Sequence, residues 1–215
     1  MSSQQTLQAI LEIGVVPIIR CESASVALEA ARAVYRGGIQ ALEVTMTVPG
    51  ALRLLENLAD EFGDRITLGA GTVLDPETAR ACMLAGAEFF VTPSLNLRTI
   101  EICKRYSKVV MPGALTPTEV VTAWEAGADM VKIFPVGNLG GPKYIKALKA
   151  PLPQIKMAPT GGVTLENAAD FLRAGADAIA VGASLMDTKA MNSGDFDVIE
   201  RKAQEFLNVV AQARA

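Results

Sequence analysis

A fourfold internal repeat constrains the fold of this chain more than any other feature of its sequence. Each copy places a glycine between an amphipathic helical segment and a short apolar run, as in LAGAEFFV and RAGADAIAV; the four glycines are Gly38, Gly86, Gly127 and Gly175. Glycine is favoured just after a helix because it adopts the left-handed conformation without steric cost. Since each interval is about two strand-helix units long, the repeat predicts four quarters of a barrel.

Short apolar runs, each followed by a segment with helical periodicity, support the same architecture. They predict eight strands, at 15–19, 40–45, 66–70, 88–91, 109–111, 129–134, 155–158 and 177–181. We therefore expect an α/β fold: a single (β/α)8 TIM barrel in one domain over residues 1–215, with an extra N-terminal helix before Val15. A doubly wound open sheet is the alternative, and the regular spacing without a long crossover argues against it.

Composition limits the partners and the compartment of the protein. Hydrophobic residues make up 50% of the chain and aromatic residues 5%, which is typical of a parallel sheet covered by helices on both faces. A net charge of -3 provides no basic field, so we expect no nucleic-acid partner. The sequence contains neither a signal-peptide pattern nor an apolar run of membrane-spanning length, and its three cysteines form no CxxC pair. We expect a cytoplasmic protein with no membrane partner.

The chain contains no histidine. This composition excludes Ser-His-Asp triads, Cys-His pairs and histidine-ligated metals together. General acid and base chemistry must therefore use carboxylates, lysine, tyrosine or water, and we expect neither a metal nor a cofactor.

Lys132 gives the sharpest signal for chemistry. It lies in the run MVKIFP, where strand alternation puts Met130, Lys132 and Phe134 on one face. Burial lowers the pKa of a lysine from about 10.4, and a neutral amine is a nucleophile toward ketones. The run therefore predicts a Schiff-base lysine, with a purely structural ion pair to Glu43 as the alternative.

Glu43 lies in a second apolar run, ALEVT, where an unpaired carboxylate is costly to bury. A carboxylate near the imine could transfer protons, and the missing histidine makes Glu43 the natural general acid and base. The alternative is a structural partner of Arg20 or Lys132, and the two roles are compatible.

Two glycine-containing motifs follow the last two predicted strands. They are PTGGVT and VGAS, and they predict a phosphate site formed by Gly161, Gly162, Gly182 and Ser184, with Thr160 at the end of the seventh strand beside it. Backbone N–H groups and a short helical turn after Gly182 would hold the anion, and the corresponding loops of these barrels often bind phosphate. Two tight turns without a ligand are the alternative.

Four further residues follow predicted strands and complete the candidate substrate site. Arg20 offers a planar fork for a carboxylate, with an ordinary surface arginine as the alternative. Thr72 could add a hydroxyl group, Pro93 follows the fourth strand, and Phe134 would provide an apolar wall beside the amine.

These motifs, in this order, resemble the 2-keto-3-deoxy-6-phosphogluconate (KDPG) and 4-hydroxy-2-oxoglutarate (KHG) aldolases. The likeness extends from about Val15 to Ser184 and is carried by VVPIIR, LEVTMT, GAGTVL, VTPSL, MPGALTPTE, VKIFP, PTGGV and VGAS. It implies a homotrimeric class I aldolase of the Entner-Doudoroff type, which cleaves a small keto-acid phosphate to pyruvate and glyceraldehyde 3-phosphate.

The resemblance also implies roles for individual residues. Lys132 matches the Schiff-base lysine and Glu43 the acid-base glutamate. The phosphate contacts would come from Thr160, Gly161, Gly162 and Ser184, while Arg20 and Thr72 would lie near the keto-acid carboxylate.

One position departs from the pattern of some family members, which carry a carboxylate-binding arginine four residues after the glutamate. This chain has Thr47 there, so Arg20 would hold the carboxylate alone. KHG or the phosphorylated galactonate isomer therefore stays open as the main substrate. A phosphosugar epimerase or isomerase and a noncatalytic phosphate-binding barrel are the alternatives from other classes.

Overall fold

The computed structural model describes residues 2–215 and shows an α/β fold in which short parallel strands alternate with helices. The strands are β1 (Val15–Ile19), β2 (Ala41–Thr45), β3 (Thr67–Gly71), β4 (Phe89–Val91), β5 (Val109–Met111), β6 (Gly113–Ala114), β7 (Val131–Ile133), β8 (Met157–Pro159) and β9 (Ile179–Val181). The helices are α1 (Ser3–Ile13), α2 (Ala24–Arg36), α3 (Ala51–Phe62), α4 (Pro76–Leu84), α5 (Leu97–Arg105), α6 (Pro117–Glu125), α7 (Pro142–Lys149), α8 (Leu165–Arg173), α9 (Thr188–Ser193) and α10 (Phe196–Arg214).

The strands form two curled parallel sheets. The larger has the order β5-β4-β3-β2-β1-β9 and the smaller the order β6-β7-β8. An isolated bridge between Thr160 and Ala180 connects the strand ends of β8 and β9. At the other junction, Asp129 donates its N–H to the carbonyl of Val110 over 3.1 Å.

The sequence predicted eight strands, and the described residues contain nine because Pro112 divides the fifth. Pro112 has no N–H, and its carbonyl faces β7, where it accepts the N–H of Lys132 at 2.9 Å; the next amide, that of Gly113, donates to the hydroxyl of Thr92 at 3.2 Å instead of to a backbone carbonyl. β5 therefore pairs with β4, whereas β6 pairs with β7. Several strands are also shorter than predicted: the run 129–134, for example, contributes only Val131–Ile133.

Alternation along the strands divides the core into two parts. One face packs against the helices, and the opposite face holds a smaller apolar cluster that includes Val16, Phe89 and Met130. Ile10 of α1 joins this smaller cluster. Val16, Phe89 and Met130 lie toward the beginnings of their strands, so the inner face can carry polar side chains farther along the other strands.

The four glycines of the internal repeat have the backbone conformation that the sequence predicted. Their φ angles are +92° (Gly38), +97° (Gly86), +93° (Gly127) and +102° (Gly175). Each lets the chain leave a helix and enter the next strand within two or three residues.

Two copies of the repeat also contain an aspartate two residues after the glycine. Asp177 accepts the N–H of Met157 at 2.9 Å and the amine of Lys149 at 2.7 Å. Asp129 accepts the N–H of Val110 at 2.9 Å and the amine of Lys104 at 2.7 Å. Each aspartate thus joins the beginning of one strand to a neighbouring strand and a helix.

Replacing this aspartate should destabilise the fold. We expect Asp177→Ala to lower the free energy of unfolding by about 1–3 kcal/mol, because the amide of buried Met157 loses its acceptor. The matched control is Asp170→Ala, since Asp170 pairs with Arg173 where both side chains are more than 60% exposed. That control should change stability by about 0.5 kcal/mol or less. Urea unfolding measures both, and equal losses would contradict the assigned role.

Candidate active site

A cavity of about 650 Å³ opens at the carboxyl ends of the strands. All the candidate site residues except Glu43 line it: Arg20, Thr72, Pro93, Lys132, Phe134, Thr160, Gly161, Gly162, Gly182 and Ser184. A depression of similar size on the exposed face of α1 is bordered by side chains of that segment alone, from Ser2 to Glu12, and brings no buried polar group together.

Lys132 lies in the middle of β7 and is 6% exposed. Its backbone N–H donates to the carbonyl of Pro112 at 2.9 Å, and its Nζ lies 5.0 Å from the centre of the Phe134 ring. Burial lowers the pKa of the amine; the carboxylate of Glu43 opposes this effect and the guanidinium of Arg20 adds to it. The site therefore favours the neutral, nucleophilic form of the lysine more than water does.

Glu43 lies on β2 and is 1% exposed. Burial raises the pKa of its carboxyl group, and the charges of Lys132 and Arg20 oppose that rise. Its Oε2 accepts no hydrogen bond from any residue between 2 and 215. A buried carboxylate oxygen without a partner is uncommon in proteins and typical of a functional group.

The direct ion pair that the sequence left open is not formed. Within the described part of the chain, Glu43 makes no ion pair with either Lys132 or Arg20. The three charges act on one another at longer range, as the directions of the pKa shifts of Glu43 and Lys132 require. A structural salt bridge thus does not account for the two buried groups.

Arg20 follows β1 and is exposed, but it borders the cavity. Its Nη2 donates to the hydroxyl of Thr72 at 3.3 Å. Thr72 has a φ angle of +56°, a left-handed conformation that β-branched residues rarely adopt. The strained turn after β3 thus directs the threonine hydroxyl to the arginine.

Thr47 does not line the cavity. Its hydroxyl group lies 2.8 Å from that of Thr45, which donates to the carbonyl of Ile19. The residue that departs from the family pattern is thus part of a short polar chain beside Arg20, and Arg20 is the one arginine on the cavity wall within residues 2–215.

The two glycine motifs lie together on the cavity wall. Gly161 accepts the N–H of Gly137 at 3.0 Å, which fixes the loop after β8. After β9, Gly182 accepts the N–H of Met186 at 2.8 Å and so forms the single helical turn that the sequence predicted, with Ser184 inside it. The amides of Gly162 and Ser184 donate to no other group in residues 2–215, so they are available to an anion.

Sequence reasoning missed several residues of the cavity wall. They are Ile18, Val163, Thr164, Ala180, Ala183, Met186 and Thr188. Period-two alternation with Arg20 could have identified Ile18. Thr188 had no such signal, because it belongs to α9, a helix that the sequence did not predict.

Two possible features of other protein classes are not found in residues 2–215. No group of three or more histidine, cysteine, aspartate or glutamate side chains could hold a metal ion there. No helix in the same range has both the length and the apolar character needed to cross a bilayer.

Comparison with known proteins identifies a family for the whole arrangement. The sequence model of the KDPG and KHG aldolase family matches residues 7–202 of this chain. A 2-dehydro-3-deoxy-phosphogluconate aldolase of Pseudomonas aeruginosa is 35% identical over 204 residues, which cover 94% of this chain and 92% of that protein. A 2-dehydro-3-deoxy-6-phosphogalactonate aldolase of Escherichia coli is 38% identical over 175 residues, which cover 81% of this chain and 85% of that protein.

A crystal structure of KDPG aldolase from Legionella pneumophila, with pyruvate captured at low pH as a covalent carbinolamine intermediate, is also similar. Its TM-score is 0.86 and its sequence identity 28%, over 93% of this chain and 97% of that one. Since the family model matches nearly the whole chain and the fold agrees, this chain belongs to the KDPG and KHG aldolase family.

Proposed function

We propose that this chain is a metal-independent class I aldolase that cleaves KDPG to pyruvate and glyceraldehyde 3-phosphate through a Schiff base on Lys132. The observation that carries the proposal is a buried lysine with a lowered pKa, close to a buried carboxylate that has no hydrogen-bond partner at Oε2. The named activities of the relatives and the carbinolamine of the Legionella protein support it.

The reaction begins at the ketone. The neutral amine of Lys132 attacks C2 of the substrate to give a carbinolamine, which takes up a proton and loses water to become a protonated imine. The positive nitrogen then accepts the electron pair of the bond that breaks. The apolar wall formed by Phe134 and Pro93 keeps water away from the amine.

Cleavage requires a base. Glu43 takes the proton of the C4 hydroxyl group and the C3–C4 bond breaks. The aldehyde leaves, and the electron pair of the broken bond forms an enamine on Lys132. Protonation of the enamine at C3 and hydrolysis of the imine then release pyruvate and return the free amine. Correct positioning of the base and the imine can remove about 7–11 kcal/mol of the barrier that the reaction has in solution.

The two ends of the substrate bind on different parts of the cavity wall. Arg20 and Thr72 hold the keto-acid carboxylate, since a guanidinium already bonded to a hydroxyl is ordered before the substrate arrives. Thr160, Gly161, Gly162, Gly182 and Ser184 border the phosphate, and the free amides of Gly162 and Ser184 donate to it. The amide and the hydroxyl group of Thr160 already donate to Ile133 and Ala158.

The finer architecture belongs to the same proposal. The bridge from Thr160 to Ala180 and the bond from Asp129 to Val110 support one closed (β/α)8 TIM barrel, in which β5 and β6 count as one strand interrupted at Pro112. On this view residues 1–215 form a single domain, and α1 is the extra N-terminal helix. A homotrimer and a cytoplasmic location follow from the family resemblance and from the three unpaired cysteines of residues 2–215.

Lys132 can be tested directly. Sodium borohydride added together with pyruvate should attach a three-carbon unit to Lys132, detected by mass spectrometry of the peptide. Lys132→Met should abolish turnover of KDPG instead of raising only KM, because covalent catalysis cannot proceed without the amine. The matched control is Lys146→Met on α7, which is outside the cavity and should retain both activities. An unlabelled wild-type protein would contradict the imine.

Glu43 makes a separable contribution. We expect Glu43→Gln to lower kcat by about 10²- to 10⁴-fold, the usual contribution of a general acid-base group, while pyruvate still traps Lys132. Near-normal turnover would remove Glu43 from the mechanism.

The pH dependence of kcat/KM provides a second measurement on the same variant. Glu43 must be ionised to accept a proton, and burial raises its pKa above the ordinary value of 4.5. The wild-type rate should therefore rise with pH through this elevated pKa, and the Glu43→Gln variant should lack that step. A folded-state pKa that is raised also means that ionisation of Glu43 destabilises the fold, so Glu43→Gln should stabilise the protein at neutral pH and lose this advantage below about pH 4.

The preferred substrate is a separate prediction. The 38% identity to a phosphogalactonate aldolase and the threonine at position 47 favour that C4 isomer as the second candidate. We expect kcat/KM to be highest for KDPG, lower for the galactonate isomer and lowest for KHG, which lacks the phosphate that the glycine motifs would bind. Steady-state rates on the three compounds check this order, and a higher value for KHG would contradict the assigned phosphate site.

A further inference from the structure

We propose that Gly71 is a positioning residue, which keeps open the space that the carboxylate of Glu43 occupies. This inference rests on the proposed function of Glu43 and extends it to a residue that does not line the cavity. Gly71 is buried at the end of β3, directly beside the strand that carries Glu43.

The distances around Gly71 show why a side chain is excluded there. A β-carbon on Gly71 would lie 1.8 Å from Oε1, 2.3 Å from Cδ and 2.5 Å from Cγ of Glu43. All three distances are far inside van der Waals contact. The carboxylate of Glu43 therefore occupies the volume in which any other residue at position 71 would place its first side-chain atom.

Backbone conformation does not explain this glycine. Gly71 is not among the described glycines with a positive φ angle, so alanine could adopt its conformation. The backbone is also held on both sides: Gly71 pairs with Thr45 of β2 and Val91 of β4, and its carbonyl accepts the N–H of Met46 at 2.8 Å. Because the strand cannot easily move, a new methyl group would have to displace Glu43.

This way of holding a base has a chemical consequence. A carboxylate held in place by hydrogen bonds has a lowered pKa and occupied lone pairs. Glu43 has no side-chain hydrogen bond with any residue from 2 to 215, and its position is fixed by the shape of the space beside Gly71. Its oxygens thus stay free for the substrate while the carboxylate stays in one place.

The test is Gly71→Ala in the full-length protein. We expect kcat for KDPG to fall by about 10²-fold with little change in KM, the loss typical of a catalytic group moved by about 1 Å. Trapping of Lys132 by pyruvate and borohydride should persist. Exchange of the methyl protons of pyruvate for deuterium, which needs the imine and the base but no aldehyde, should slow by a similar factor. A kcat within about threefold of wild type would overturn the proposal.

A double-mutant cycle separates positioning from general damage to the strand. Glu43→Ala removes all three clashing atoms, so Gly71→Ala should lower neither the unfolding midpoint nor the residual rate further in that background. The matched control is Gly69→Ala, two residues earlier on the same face of β3, where a β-carbon would meet the ring of Phe89 at 2.2 Å instead of Glu43. It should lower the unfolding midpoint equally with and without Glu43.

The remaining outcomes distinguish the steric role of Gly71 from the Schiff-base function of Lys132. If Gly71→Ala fails to fold but folds together with Glu43→Ala, the steric competition is supported; if the double variant also fails to fold, it is overturned. An equal penalty of Gly71→Ala in both backgrounds overturns the proposal for Gly71 alone. Failure of pyruvate to label the wild-type protein would instead overturn the Schiff-base function, which the unfolding midpoints do not depend on.

Discussion

The site depends on the burial of two ionisable groups, the amine of Lys132 and the carboxyl group of Glu43, that form no ion pair. For both Lys132 and Glu43, loss of water is the largest influence on the pKa, and their mutual attraction only opposes it. Burial therefore favours the neutral amine and the neutral carboxyl group, as expected where desolvation exceeds the attraction of a pair at long range. In the proposed reaction, the balance between desolvation and electrostatic attraction at Glu43 changes when the imine forms. The imine nitrogen is cationic, so it lowers the pKa of Glu43 and makes the carboxylate a base at the step that needs one.

The barrel-like curvature of the sheets allows this arrangement without loss of the core. On the inner face, an apolar layer includes Val16, Phe89 and Met130, and a polar layer includes Glu43 and Lys132, which lie in the middle of β2 and β7. β3 makes room for both layers with two glycines: Gly69 faces the ring of Phe89, and Gly71 faces the carboxylate. One strand thus supplies empty volume where its neighbours supply side chains, which is how a close-packed interior accommodates a glutamate.

Much of the fold and most of the candidate site could be predicted from sequence, because local rules determine them. The glycine repeat reflects a φ requirement at each helix end, and the position of Lys132 on the inner face follows from period-two alternation. The division of the fifth strand depends on the amide of Gly113, which donates to the hydroxyl of Thr92 instead of to the backbone of β4, but the run VVMPGA contains no sign of which partner each half takes. The absence of an ion pair between Lys132 and Glu43, the wall residue Thr188 and the role of Gly71 depend on distances between segments far apart in the chain, which periodicity does not report.

The cavity also separates the groups proposed for the reaction from those proposed for substrate preference. In the proposed reaction, Lys132 and Glu43 act on C2 and on the C4 hydroxyl group, which KDPG, its galactonate isomer and KHG share. Discrimination must therefore come from the more distant parts of the wall, the glycine motifs at one end and Arg20 with Thr72 at the other. Thr72 is held in an unfavourable conformation and Thr47 bonds to Thr45, so in the proposed site Arg20 would meet the carboxylate with the hydroxyl of Thr72 beside it and no second guanidinium. A single cation binds a carboxylate with fewer directional constraints than two, and the phosphate contacts must then fix the orientation of the substrate.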